Sequence, residues 1–255
     1  MEFPLIYCNG DSYSDENLFE SLKGNTYVDV VAKHYNGFVI NKAVKGSCNR
    51  RIIRTTVHDI LHQRQLNPTQ PILVLLGLSF EIRSELWVET VKDNSWAEES
   101  NFKTHAFTGM SNWREKLLKN LSLNPRNDHK LNNKFFEKFS QGRAYFYNPY
   151  AERINLFTDL IMLRALLESL KINFLIFQAV QAEKLESEYL LDYFKQQLDG
   201  DDRFIDFELF GFANWCAGQG FKTFEDGALT APGHFKPDAH RAFAEQILLP
   251  RLADL

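Results

Sequence analysis

Residues 10–14 read Gly-Asp-Ser-Tyr-Ser and follow directly on the apolar run 4–9. A turn there sets the Ser12 hydroxyl at the carboxyl end of a strand and the start of a helix, where backbone N–H groups and the helix dipole favour developing negative charge. That is where an acyl nucleophile should stand, although Gly, Asp and Ser are also the commonest turn and N-cap residues. Near the other end of the chain His234 stands in Pro232-Gly233-His234-Phe235-Lys236-Pro237, ahead of a helix that Pro237 would open. A hydroxyl activated by an imidazole is the minimal apparatus of acyl transfer. A lone histidine is more often structural, so the pair matters only if the fold brings its members to one place.

The elements that would do so alternate along the chain. Apolar runs of strand length occupy residues 4–9, 37–43, 71–78 and 172–180, with a shorter one at 204–207. The runs Ile72-Leu73-Val74-Leu75-Leu76 and Phe174-Leu175-Ile176-Phe177 are apolar at consecutive positions, which suits strands covered on both faces of a parallel sheet. Helical spacing marks 15–35 in two pieces broken near Gly24, then 49–65, 152–171, 183–198 and 237–252. The expected fold is a three-layer α/β/α sandwich with a five-stranded parallel sheet, wound by right-handed crossovers. Ligands then sit outside the carboxyl ends of the strands, just after Asn9, Ala43 and Leu76.

Residues 81–148 break this rhythm, since they far exceed an ordinary connection and are rich in Asn, Lys, Glu and Trp. They are expected to form a partly helical insertion in a single domain spanning 1–255, either a lid over the site or a surface elaboration or dimer contact.

The formal net charge is -4 and no long run of Lys and Arg occurs, so the footprint of a nucleic-acid binder is missing. No apolar stretch approaches bilayer length, and Met1-Glu2-Phe3-Pro4 has no basic n-region, so the expected location is cytoplasmic. The 3 cysteines, Cys8, Cys48 and Cys216, form no C-x-x-C pair and are expected as buried thiols. His58 and His62 share a helix face at a spacing that can bind zinc, but without H-E-x-x-H they are expected to face solvent. No nucleotide-binding glycine pattern is present, and no cofactor is expected. Gly77-Leu78-Ser79-Phe80-Glu81 lacks the second glycine of a G-x-S-x-G nucleophile elbow, which sets Ser79 aside as a nucleophile.

Taken with the Gly-Asp-Ser turn, Gly46 after the second strand, the pattern Gly46-Ser47-x-Asn49-x-x-Ile52 and the loop around His234, the chain resembles the SGNH (GDSL-type) hydrolases outside 81–148. The resemblance implies a flavodoxin-like SGNH hydrolase fold and an esterase in which Ser12 is the nucleophile and His234 the general base. It assigns Gly46 to the oxyanion hole, with Asn49 opening the next helix. Two positions depart from the pattern. Ser79 stands where the family carries an Asn oxyanion donor, and a hydroxyl can donate but reaches less far than a carboxamide, so the hole would be weaker or be completed by another group such as Asn49. Ala231 stands where the family carries the acid. Asp226 could take its place if the loop folds back, or a backbone carbonyl could orient the ring and leave a Ser–His dyad.

Asp11 and Arg83 are the candidate substrate-binding residues. Arg83 could clamp an anionic group, with an ion pair to Glu81 or Glu85 as the alternative. Trp215, Phe221 and Phe224 could stack on a sugar, or belong to the core. The expected partner is a small ester or O-acylated carbohydrate. An acyltransferase, or a binding protein on the same scaffold with a decayed site, are the alternatives.

Overall fold

The computed structural model describes residues 4–79, 84–87, 102–105, 148–182, 184–205, 210–224 and 233–255. Strands β1 (Leu5–Gly10), β2 (Phe38–Asn41), β3 (Ile72–Leu78), β6 (Asn173–Gln178) and β7 (Phe204–Ile205) form a parallel sheet in the order β2-β1-β3-β6-β7. This is the doubly wound order whose direction reverses between β1 and β3, and the crevice outside that reversal is where such sheets take ligands. β4 (Ser84–Trp87) and β5 (Phe102–His105) pair as a separate antiparallel ribbon. They are the described part of the stretch expected to be partly helical, and the rest of that stretch lies outside the described residues.

Strand alternation sorts the core into two layers. Ile6 and Cys8 of β1, Leu73 and Leu75 of β3, and Leu175 and Phe177 of β6 face α1 (Tyr27–Tyr35), α5 (Phe212–Gly218) and α6 (Pro237–Phe243). Leu5 and Tyr7, Val74 and Leu76, and Phe174 and Ile176 face α2 (Asn49–Leu66), α3 (Pro149–Ser169) and α4 (Tyr189–Gln196). The three-layer α/β/α sandwich follows. Burial on both faces explains why β1 and β3 are buried at every position.

The helices start where their sequences cap them. Thr26 and Asp29 make a capping box at α1, the Asp29 carboxylate accepting from the Thr26 backbone N–H at 2.8 Å. Asn148 caps α3 by accepting from the N–H groups of Tyr150 and Ala151, with Pro149 in the first turn. The stretch from Asp15 toward Gly24, expected as helix, holds only a 3-10 turn at Glu20–Leu22. Asp15 accepts from the backbone of Asn17 at 2.9 Å, and that local bond competes with helix formation. After α6 the chain makes a π turn, Ala244–Leu248, before α7 (Leu249–Ala253). Pro250 in the first turn of α7 has no N–H to offer the preceding turn, and the wider π turn accommodates it.

Among the described residues no helix is long and apolar enough to cross a membrane. Cys8, Cys48 and Cys216 are free and buried, and burial pushes the Cys8 thiol up to about 12. His58 and His62 are exposed, their rings 6.4 Å apart.

Candidate active site

At the carboxyl end of β1 the chain reverses in one turn, closed by the Ser14 N–H donating to the Asp11 carbonyl at 3.0 Å. Ser12 is the first of the two central residues of that turn. Glycines make the turn fit: a Cβ on Gly10 would lie 2.4 Å from Ser14 Oγ and 2.9 Å from the Gly77 carbonyl oxygen. A Cβ on Gly77 would meet the same Ser14 Oγ at 2.7 Å. Ser14 is thus wedged between two strand ends that approach closely because neither carries a side chain. Tyr27 donates to Ser14 Oγ at 2.6 Å, and Asn41 Nδ2 donates to the Ser14 carbonyl at 2.9 Å.

Asp11 belongs to the scaffold of the turn. It is fully buried, and its carboxylate accepts from the Tyr13 backbone N–H at 3.1 Å and the Ser79 hydroxyl at 2.9 Å. The Ser79 hydroxyl is therefore directed at Asp11. Asn49 is tied to Ser79 as well: its Nδ2 donates to the Ser79 carbonyl at 3.0 Å, and its Oδ1 accepts from the Ser79 N–H at 2.7 Å. Asn49 and Ser79, expected as oxyanion donors, and Asp11, expected to touch substrate, clamp the ends of β1 and β3 and the start of α2 to one another. This web could not be read from spacing, because it depends on which polar groups meet where three elements end.

Unengaged donors remain. Among the described residues neither the Ser12 hydroxyl nor the backbone N–H groups of Ser12 and Gly46 make a hydrogen bond. Gly46 has φ +82° with open space around its Cβ position, and the Ser47 N–H donates to the Val44 carbonyl at 3.0 Å. Gly46 is thus the left-handed residue of a tight turn, and glycine is required there for conformation rather than for room. The turn abuts β1, since the Val44 N–H donates to the Gly10 carbonyl at 3.2 Å.

His234 comes to the same edge of the sheet. Its ring lies 5.0 Å from that of Tyr13, the neighbour of Ser12, and 6.0 Å from that of Phe19. Its loop is pinned to the strand-like segment before it by an antiparallel bridge between Thr223 and Phe235 and by the Phe224 N–H donating to the His234 carbonyl at 2.8 Å. Phe224 stacks on Phe19 at 4.0 Å, placing two half-buried rings beside the imidazole. Trp215 and Phe221 pack against each other and the core, not on this rim. Asp226, Ala231, Glu81 and Arg83 lie outside the described residues. Among the described residues no cluster of His, Cys, Asp and Glu could hold a metal ion.

No protein-family model matches the sequence, and no curated protein matches it. Solved structures do resemble the fold. One is a psychrotrophic esterase, EstA, from Pseudoalteromonas sp., inhibited by monoethylphosphonate, with 11% identity, TM-score 0.46, and 98% of this chain and 97% of that one covered. Another is a member of the lipolytic protein G-D-S-L family from Veillonella parvula DSM 2008, with 12% identity, TM-score 0.42, and 96% of each chain covered. With TM-scores below 0.5 these similarities carry no argument for activity. That argument has to come from the site.

Proposed function

We propose that the protein is a serine esterase acting on a small ester or an O-acylated carbohydrate. The observation that carries this reading is the placement of the His234 ring against Tyr13, directly beside Ser12, at the edge of the sheet where ligands bind. Ser12 Oγ attacks the ester carbonyl carbon while His234 takes its proton. The backbone N–H groups of Ser12 and Gly46, both without a partner among the described residues, supply the donors for the oxyanion. Collapse expels the alcohol, which receives the proton from His234 and leaves an acyl group on Ser12. Water, deprotonated by His234, then releases the acid. Asp226 is the proposed orienting acid, and Arg83 the proposed contact for an anionic substrate group.

The engagement of Ser79 with Asp11 and of Asn49 with Ser79 favours a second reading. With the Ser79 hydroxyl and the Asn49 carboxamide so engaged, two backbone donors would carry the oxyanion and turnover would be slow, since one oxyanion donor is worth about 10²-fold or more. A slow hydrolase grades into a transferase or a binding protein.

The deciding experiment labels the protein with a fluorophosphonate and compares Ser12→Ala and His234→Ala, alongside release from short nitrophenyl esters with and without a sugar or glycerol acceptor. Labelling that survives Ser12→Ala overturns the assignment. Acceptor-dependent release identifies a transferase, and the absence of both labelling and release identifies a binding protein.

A further inference from the structure

A second histidine lies beneath the site. His240, on α6, is 2% exposed and its Nδ1 has no hydrogen-bond partner. Its ring lies parallel to that of Tyr27 at 5.8 Å and tilts against Phe212 at 5.0 Å. Burial in this aromatic box lowers its pKa to about 3, with the nearby His234 acting in the same direction and a hydrogen bond to the Phe235 backbone acting against both. The imidazole is therefore neutral near pH 7. A ring N–H is the donor in the bond to the backbone of Phe235, the residue after His234.

Tyr27 continues the line toward the other loop. It is fully buried, and its hydroxyl donates at 2.6 Å to Ser14, whose N–H closes the turn around Ser12. A column of Phe235 backbone, His240 ring, Tyr27 ring and hydroxyl, and Ser14 thus runs under the sheet edge. It links the loop carrying His234 to the turn carrying Ser12.

We infer that Tyr27 and His240 are positioning residues that set the separation of Ser12 and His234 from below, an inference that rests on the esterase reading and deepens it. The residue types fit the task. A phenylalanine at 240 could stack on Tyr27 but could not hold the Phe235 carbonyl. A charged group there would oppose the imidazolium that forms on His234 during turnover. Buried partners of this kind fix the geometry of the groups that react, and a misplacement of about 1 Å is worth on the order of 10²-fold in rate.

The test compares wild type with Tyr27→Phe, His240→Phe and His240→Gln, in which the Gln carboxamide can replace the ring N–H as donor. Steady-state kinetics on a short nitrophenyl ester and the rate of fluorophosphonate labelling are read beside amide hydrogen exchange of the peptides covering Asp11–Ser14 and His234–Lys236. Tyr27→Phe and His240→Phe should lower kcat and the labelling rate roughly 10- to 100-fold with KM within about twofold, and His240→Gln should recover most of the loss. Exchange should quicken in both loops together when either column residue is changed, while β3 is unaffected. This readout does not depend on turnover, so it tests the column even if wild type proves inactive and the esterase reading fails. The inference is overturned if exchange changes only in the loop nearest each substitution, or if wild type is active and kcat in Tyr27→Phe and His240→Phe is unchanged. It is equally overturned if His240→Gln is as impaired as His240→Phe.

Discussion

The turn that carries Ser12 and the loop that carries His234 meet at one edge of the sheet, yet they are held in different ways. Around Ser12, hydrogen bonds arrive from Tyr27 of α1, Asn41 of β2, and Ser79 beyond β3, and Asn9 anchors the strand beneath. Asn9 Oδ1 accepts from the Gly10 N–H at 2.9 Å, while its Nδ2 donates to Thr55 Oγ1 at 2.7 Å and to the Ile52 carbonyl at 3.1 Å on α2. Among the described residues the loop of His234 shows contacts of another kind, with an antiparallel bridge, backbone bonds and ring contacts. A hydrogen-bonded turn has one geometry, whereas rings in contact can slide at little cost. The hydrogen bonds converging on the Ser12 turn make it the expected fixed member of the pair, so damage near Ser12 should appear chiefly in stability and damage near His234 chiefly in rate.

The sharpest trial of this contrast removes the two proposed reacting groups. Ser12→Ala and His234→Ala should each lower esterase kcat by about 10³-fold or more. Because the Ser12 hydroxyl makes no hydrogen bond among the described residues, Ser12→Ala should shift unfolding free energy by less than about 0.5 kcal/mol in urea titration. A larger shift would mean that Ser12 is part of the scaffold.

A second prediction concerns pH. His240 has a native pKa of about 3 against an ordinary 6.5, so between those values the unfolded chain binds a proton that the native protein does not. Stability should therefore fall as pH drops through that window, by on the order of 4 kcal/mol at its lower end. His240→Gln should flatten this part of the stability curve, measured by denaturant titration from pH 7 to 4. An unchanged slope would place the acid sensitivity elsewhere.

Smaller effects separate the scaffold from the rim. Asn9→Ala leaves the Gly10 N–H without its side-chain acceptor and removes the bonds to α2, and should cost about 2–3 kcal/mol in the same titration. Phe224→Ala should cost about 1–2 kcal/mol, reflecting a half-buried ring, while changing KM for esters of different acyl length. If Phe224→Ala proved the more destabilising, the division between a fixed turn and an adjustable loop would be lost. Gly46→Ala should have an effect of similar size: the space is open and only the backbone φ of +82° is strained, so about 1–2 kcal/mol is expected from thermal unfolding.

The parts of the fold that were legible in the sequence are those with the strongest burial. Consecutive apolar residues in β3 and β6 could only be strands covered on both faces, and their alternation with helical spacing gave the parallel sheet. α5 was hidden within the stretch 211–233, because Phe-Ala-Asn-Trp-Cys-Ala-Gly is too short to show a period. At the site, the turn around Ser12 could be inferred from residue types alone, since Gly, Asp and Ser are among the commonest turn residues. The roles of Asp11, Asn49 and Ser79 could not, because each bonds to a residue distant in sequence. His240 was visible only as a second histidine on the last helix. Nothing in its neighbours in sequence announced Tyr27 above it or the carbonyl it holds.

The close approach of Gly10 and Gly77 around Ser14 bears on anyone who would reshape this pocket by laboratory evolution. The floor has no room for variation, because any side chain added at either glycine collides with Ser14 and, at Gly10, with backbone as well. Libraries that randomise the floor will be dominated by misfolded clones. The same diversity placed at Phe19 and Phe224, whose stacked rings are half-buried, will return mostly folded ones. New substrates would therefore be recruited from the wall, with the machinery below inherited unchanged.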